Sequence, residues 1–204
     1  MTRRHFLMNT VALAAGAAVA GCAKAEDPAT GVGAARPEAK GSAGAAAKGR
    51  VLVAYYSWSG NTKALAGLVA AAVGGELFEI SPKVAYPEAY RACTEQAKRE
   101  IAAGARPELA AWPDFAKYDV VLVGSPNWWG TIAPPVSTFV ENPALAGKRM
   151  ALFQTHGGGG AQRCGQDFKK QAKGSVVAEP LIVTGSRAAR AQAEAAKWAH
   201  AIVG

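Results

Sequence analysis

Cysteine is scarce in this sequence, with three in 204 residues and neither a C-x-x-C pair nor a zinc-ligand spacing among them. That excludes a disulfide-built scaffold and gives no support to a thioredoxin-type exchange centre. Long apolar runs are also missing. None reaches the ~18 residues a membrane-spanning helix needs, which excludes a polytopic membrane protein. There is no G-x-G-x-x-G and no Walker lysine, so neither a dinucleotide fingerprint nor an ATPase loop fits. Acidic side chains are few, 15 against 23 basic ones, for a net charge of +8. No basic-aromatic stripe or helix-turn-helix accompanies that charge, so nucleic acid is not an expected partner. Lys169, Lys170 and Lys173 read as a solvated helix face. What remains is half apolar and 19% charged, a composition that supports a packed core. The length suits one domain with a tail.

The tail comes first. Residues 1–21 place Arg3-Arg4 before a short Ala- and Gly-rich apolar stretch, Val11 to Ala20. The segment resembles a twin-arginine signal, which carries folded proteins across the bacterial inner membrane. It ends in Val19-Ala20-Gly21-Cys22, which resembles a lipobox. The resemblance implies lipidation of Cys22 and a membrane anchor on the periplasmic side of the cell envelope. Residues 22–49 are Ala, Gly, Lys, Pro and Ser with almost no bulky apolar side chain. Such a chain cannot bury enough surface to offset its entropy, so it reads as a flexible linker. Its root-mean-square reach is roughly 25–30 Å.

From residue 50 to 204, apolar runs alternate with helical patterns. Strands are expected at Val51–Tyr56, Leu77–Ile80, Val120–Gly124, Met150–Gln154 and Val176–Val183. Helices are expected at Thr62–Val73, Pro87–Ala103, Pro135–Glu141, Gln162–Lys173 and Arg187–Val203. Strands apolar on both faces and joined by helices imply a parallel sheet covered on both sides. A five-stranded sheet of order 2-1-3-4-5 fits the length, and it binds ligands where the strand order reverses.

Three turns at strand ends carry candidate chemistry. The first is Ser57-Trp58-Ser59-Gly60-Asn61-Thr62, where hydroxyls and unpaired helix-start amides form an anion site. The second is Gly124-Ser125-Pro126-Asn127-Trp128-Trp129-Gly130-Thr131. Adjacent tryptophans cannot both pack inward easily, and a flat aromatic ligand beside them accounts for the pair. The third is Gln154-Thr155-His156-Gly157-Gly158-Gly159-Gly160, whose glycine amides can approach such a ligand and donate to its carbonyls. His156 has two readings, a positive group at the ligand's edge or a solvated loop residue. No metal site is expected.

With these three turns in this order, the chain from Arg50 onward resembles the bacterial flavodoxin-like family in its short-chain form. The Ser-x-Ser-Gly-x-Thr pattern of Ser57, Ser59, Gly60 and Thr62 is that family's phosphate loop. The resemblance implies a flavodoxin-like three-layer sandwich and FMN as cofactor. It implies Ser57–Thr62 at the phosphate, and Pro126–Gly130 with Thr155–Gly159 at the flavin ring. It also offers the Trp129–Gly130 peptide as one that rotates on reduction, to accept a hydrogen bond from flavin N5–H. The implied function is electron transfer, with a redox protein or quinone as partner and no catalytic side chain. The alternative is an NAD(P)H- or quinol-dependent FMN or quinone oxidoreductase, with Trp58, Tyr86 and Tyr90 framing a substrate pocket.

Two features depart from familiar flavodoxins, which are acidic and cytoplasmic. Residues 50–204 hold 17 basic and 12 acidic side chains, a net of +5, which favours acidic partners or anionic lipid. The export signal is the other. Cys93 and Cys164 are left either to bond in an oxidising compartment or to stay buried as thiols.

Overall fold

The computed structural model describes residues 50–204. The signal, Cys22 and the linker, and the expectations placed on them, lie outside the described residues. The strands are β1 (Val51–Tyr55), β2 (Glu76–Glu79), β3 (Val120–Trp128), β4 (Thr131–Ile132), β5 (Arg149–His156), β6 (Ser175–Val176) and β7 (Leu181–Thr184). The α-helices are α1 (Asn61–Val73), α2 (Tyr90–Ala102), α3 (Pro134–Val140), α4 (Cys164–Gln171) and α5 (Gln192–Val203).

The parallel order is β2-β1-β3-β5, with β6 and β7 sharing the outer edge of β5. This is the expected 2-1-3-4-5 arrangement, and its reversal lies between β1 and β3. Register follows the alternation of side chains. Leu52, Ala54, Val121, Val123, Met150 and Leu152 face one core layer, against Ile80, Cys93, Phe139 and Phe168. Val51, Val53, Val120, Leu122, Ala151 and Phe153 face the other, against residues of α1 and α5. Every residue of β1 is buried, as a strand covered on both faces requires. Gly124 of β3 lies against the Phe153 ring of β5. A Cβ there would stand 2.4 Å from the Phe153 ring.

The sheet has seven strands rather than five. The fifth expected strand is broken into β6 and β7. Residues 177–180 lie opposite only Ala151 and Leu152 of β5, so the edge bulges. Pro180 sits in this bulge without an N–H to give, which is tolerable only at an edge. The remaining extra strand, β4, pairs antiparallel with the end of β3.

Helix ends also moved. α1 ends at Val73 as expected and only its start moves, to Asn61; Gly74 caps it with a left-handed φ of 65° and an N–H that donates to Ala70 O. α2 opens at Tyr90 rather than Pro87, because the Pro87 carbonyl is taken by Trp58 Nε1 at 3.0 Å. α4 is shorter than expected. Gln162, with φ 44°, turns left-handed before it, and Ala172 is extended after it. Residues Gly185–Arg190 form a 3-10 turn ahead of α5, not the helix expected from Arg187. Cys93 and Cys164 are free thiols, both buried.

Candidate functional site

The three turns converge at the carboxyl ends of β1, β3 and β5 around a cleft of about 400 Å³. That is large enough for a small cofactor. Trp58, Ser59 and Asn61 line it from the first turn, Pro126 to Trp129 from the second, and Thr155, His156 and Gly157 from the third. Ser57, Gly60, Thr62, Gly130, Gly158 and Gly159 belong to the same turns but do not line the cleft.

The first turn leaves β1 at Tyr55 and enters α1 through Gly60, whose φ is 85°. Glycine adopts that conformation without steric cost. It also brings no capping side chain, and α1 has none from elsewhere among the described residues. The helix therefore presents its first-turn amides and positive dipole end uncovered. Ser57 Oγ is buried with no hydrogen-bond partner among the described residues. A buried hydroxyl in that state costs about 1–3 kcal/mol until something satisfies it. Asn61 Nδ2 donates to Ser59 Oγ at 3.2 Å. Thr62 departs from expectation. Its hydroxyl is buried and shares a 2.8 Å hydrogen bond with Thr155 Oγ1, which ties the first turn to the third.

The second turn is a strand and hairpin, not the loop expected after Gly124. β3 runs on to Trp128, and Trp128 pairs with Thr131 of β4. Only Trp129 and Gly130 remain as the turn. Their φ values are 52° and 88°, both positive, the mark of a type I′ turn. The two indoles part company here. Trp128 turns inward, edge-on to Tyr86 at 4.9 Å and to Tyr56 at 5.4 Å. Trp129 is half exposed. Its Nε1 donates to Thr94 O at 2.9 Å, and Lys98 Nζ lies 5.0 Å above its ring.

Asn127 spans the second and third turns. Its Oδ1 accepts from Gly130 N at 3.0 Å, and its Nδ2 donates to Gly160 O at 2.9 Å. Gln154 Nε2 donates to the same carbonyl at 2.9 Å. Thr131 Oγ1 reaches Asp167 Oδ2 at 2.6 Å, and Arg163 N donates to Gly130 O at 2.9 Å. The hairpin is therefore tied to α4 as well.

The third turn corrects one expectation and narrows another. Gly158 N and Gly160 N donate to His156 Nδ1, at 3.1 and 3.2 Å, so these amides point at the histidine rather than at a ligand. His156 is then not simply solvated. It lines the cleft and folds the glycine turn around its own ring, with Nδ1 as acceptor and the proton of that tautomer on Nε2.

A fourth wall comes from α2. Tyr90, Thr94 and Ala97 share one helical face along the cleft, and Gly185 closes the far side. Thr94, Ala97 and Gly185 were not expected from sequence. The only signal is the i, i+4, i+7 spacing on α2, and it does not say what that face meets. Behind this wall, Tyr86 Oη donates to the Glu100 carboxylate, which also accepts from Gln96 Nε2 at 2.8 Å. Burial first, then the bond to Glu100, hold the Tyr86 phenol far above its usual range. Burial also raises the Cys93 thiol, with Glu100 adding to it.

A parallel three-layer sheet with an uncapped helix start, a tryptophan hairpin and a glycine turn at its switch point is the architecture of a flavodoxin-type protein. The flavodoxin family model matches residues 50–202, and the chain belongs to that family. Among solved structures, a candidate flavoprotein from Bacteroides eggerthii is 27% identical with a TM-score of 0.65, over 76% of this chain and 99% of its own. One from Bacteroides uniformis is 26% identical with a TM-score of 0.63, over 74% and 97%. A flavoprotein from Lactobacillus acidophilus, solved in complex with FMN, is 25% identical with a TM-score of 0.60, over 74% and 98%.

Proposed function

We propose that this protein binds FMN in the cleft and works as an electron-transfer flavoprotein of the cell envelope. The observation that carries the reading is the uncapped start of α1, where Ser59 and Asn61 line the cleft and Ser57 Oγ lies buried and unpartnered in the same turn. That hydroxyl and the first-turn amides suit a dianionic phosphate, and the Trp129 and Trp58 faces suit a flat ring. The similarity to the FMN-bound Lactobacillus acidophilus flavoprotein supports the same ligand. FMN supplies reversible electron chemistry when bound, and the protein's part is to hold and orient it. Ser59 and the α1 amides hold the phosphate from the cleft wall, with the Ser57 hydroxyl as a further donor in the same turn. Trp58, Trp129 and the Thr155–Gly157 segment border the ring. Tyr86, Trp128 and Tyr56 pack densely behind it and exclude water.

A second reading, an FMN-dependent oxidoreductase of NAD(P)H or quinol, draws on Tyr90. Its ring is 72% exposed at the cleft wall and lies 6.1 Å from Trp58, which leaves an aromatic surface for a second flat substrate. Steady-state oxidation of NADPH or quinol by the FMN-loaded protein distinguishes the two readings, since a carrier shows none without a partner.

The test of FMN binding is a titration of the apoprotein with FMN and with riboflavin, followed by flavin fluorescence. Ser57→Ala is expected to weaken FMN about tenfold or more, the worth of one hydrogen bond to a charged group, and to leave riboflavin unchanged. Equal loss for both ligands would place Ser57 away from the phosphate.

A further inference from the structure

We infer that the Trp129–Gly130 peptide is locked in one orientation, and that Asn127 is the positioning residue that locks it. The inference about ligand states rests on the FMN reading above; the lock itself stands on the hairpin alone.

Three observations carry it. The turn is two residues long with positive φ at both, 52° at Trp129 and 88° at Gly130. Rotating its central peptide would convert type I′ into type II′, which keeps positive φ at the first position and takes its ψ to the extended range. Only glycine occupies that region readily. Here the first position is Trp129, and the glycine sits in the second. The glycine is thus in the slot that needs it for the observed turn, not in the slot that would permit rotation.

The peptide is also held by its N–H. Gly130 N donates to Asn127 Oδ1 at 3.0 Å, and rotation would turn that N–H away. The other end of the Asn127 amide is occupied too, with Nδ2 on Gly160 O at 2.9 Å. Asn127 therefore cannot follow a moving peptide without giving up its own bond to Gly160 O.

The surroundings leave no slack. Gly130 O accepts from Arg163 N at 2.9 Å, which fixes the next peptide. Gln162 Oε1 stands 2.8 Å from where a Gly130 Cβ would lie. Trp129 is held outside by its bond to Thr94 O. The rotating peptide implied by the family resemblance is not available here. The tryptophan hairpin is a fixed wall of the cleft, the same with and without ligand.

The test uses the full-length chain, labelled with 15N and 13C, without ligand, with oxidised FMN and with reduced FMN. A type I′ turn brings the Trp129 and Gly130 amide protons together, and rotation of the peptide between them separates the two. The expected result is a strong amide–amide cross-peak between them in all three states. Its loss in any state overturns the inference. Amide exchange at Gly130 tests the part played by Asn127. Asn127→Ala is expected to speed it at least about fivefold, the worth of one net hydrogen bond. Asn127→Asp, which keeps the acceptor and loses only the donor to Gly160, is expected to keep Gly130 protected. Unchanged exchange in Asn127→Ala removes Asn127 from the role. If FMN does not bind in the fluorescence titration, the FMN reading falls. The ligand-free cross-peak and the exchange pair then still decide the lock.

Discussion

Trp128 and Trp129 follow one another in the chain, yet one ring packs on Tyr86 and the other on the α2 backbone. The strand alternation of β3 points the first inward, and the left-handed turn that follows throws the second outward. At this scale burial also sets the alkaline limit of the fold. Tyr55 is pushed up to about 12 by burial, then by its bond to Glu79. Tyr118 rises to about 12 through burial and Glu76, and the Cys164 thiol to about 12 through burial and Asp167. All three are raised above their unfolded values. Each therefore contributes stability that is fully present below its unfolded pKa and is lost as pH rises through the folded one. Urea midpoints are expected to hold to about pH 9 and to fall progressively towards pH 12. Phenolate absorbance of the native protein should lag behind that of the unfolded chain over the same range. A midpoint that is flat to pH 12 would contradict these shifts.

Among the elements, β3 and β5 pack tightly at Gly124, whose missing side chain makes room for the Phe153 ring. The Phe153 ring occupies the place of its missing side chain and is itself fully buried. Gly124→Ala overpacks this contact and is expected to cost about 1–3 kcal/mol in denaturant unfolding. Gly60→Ala meets no neighbouring atom, so its cost is the left-handed backbone alone, about 1–2 kcal/mol. The pair separates a steric glycine from a conformational one. The elements also show where sequence reading stops. The β1 run, the α1 stripe and its glycine stop were legible because each is a local pattern. The hairpin was not, because Pro126 and Asn127 carry no strand pattern, and β4 pairs through only two residues. The break between β6 and β7 was hidden as well. Val176 to Val183 looks continuous, and only the register against β5 shows four residues lying opposite two.

At the scale of the whole molecule, the described domain carries a net +5. Under the envelope carrier proposed above, that charge would favour anionic lipid over basic soluble partners. Replacing Arg3 and Arg4 by Lys is expected to keep the protein inside the cell. Cys22→Ser is expected to move it from the membrane to the soluble periplasmic fraction. Fractionation of cells expressing each variant checks both. Membrane association that survives Cys22→Ser would remove the lipid anchor.

The sequence by itself determined the alternation of strands and helices and the three turns at strand ends. These follow from local periodicity and from residue types that only a few backbone conformations accept. Tertiary structure alone decided which groups in those turns remain free. Thr62 is spent on Thr155, two glycine amides on His156 and Asn127 on the turns beside it, whereas Ser57 keeps its hydroxyl unpaired. A hydrogen bond across 33 or 93 positions of chain leaves no trace in either local sequence, because its partner is chosen by packing and not by neighbourhood.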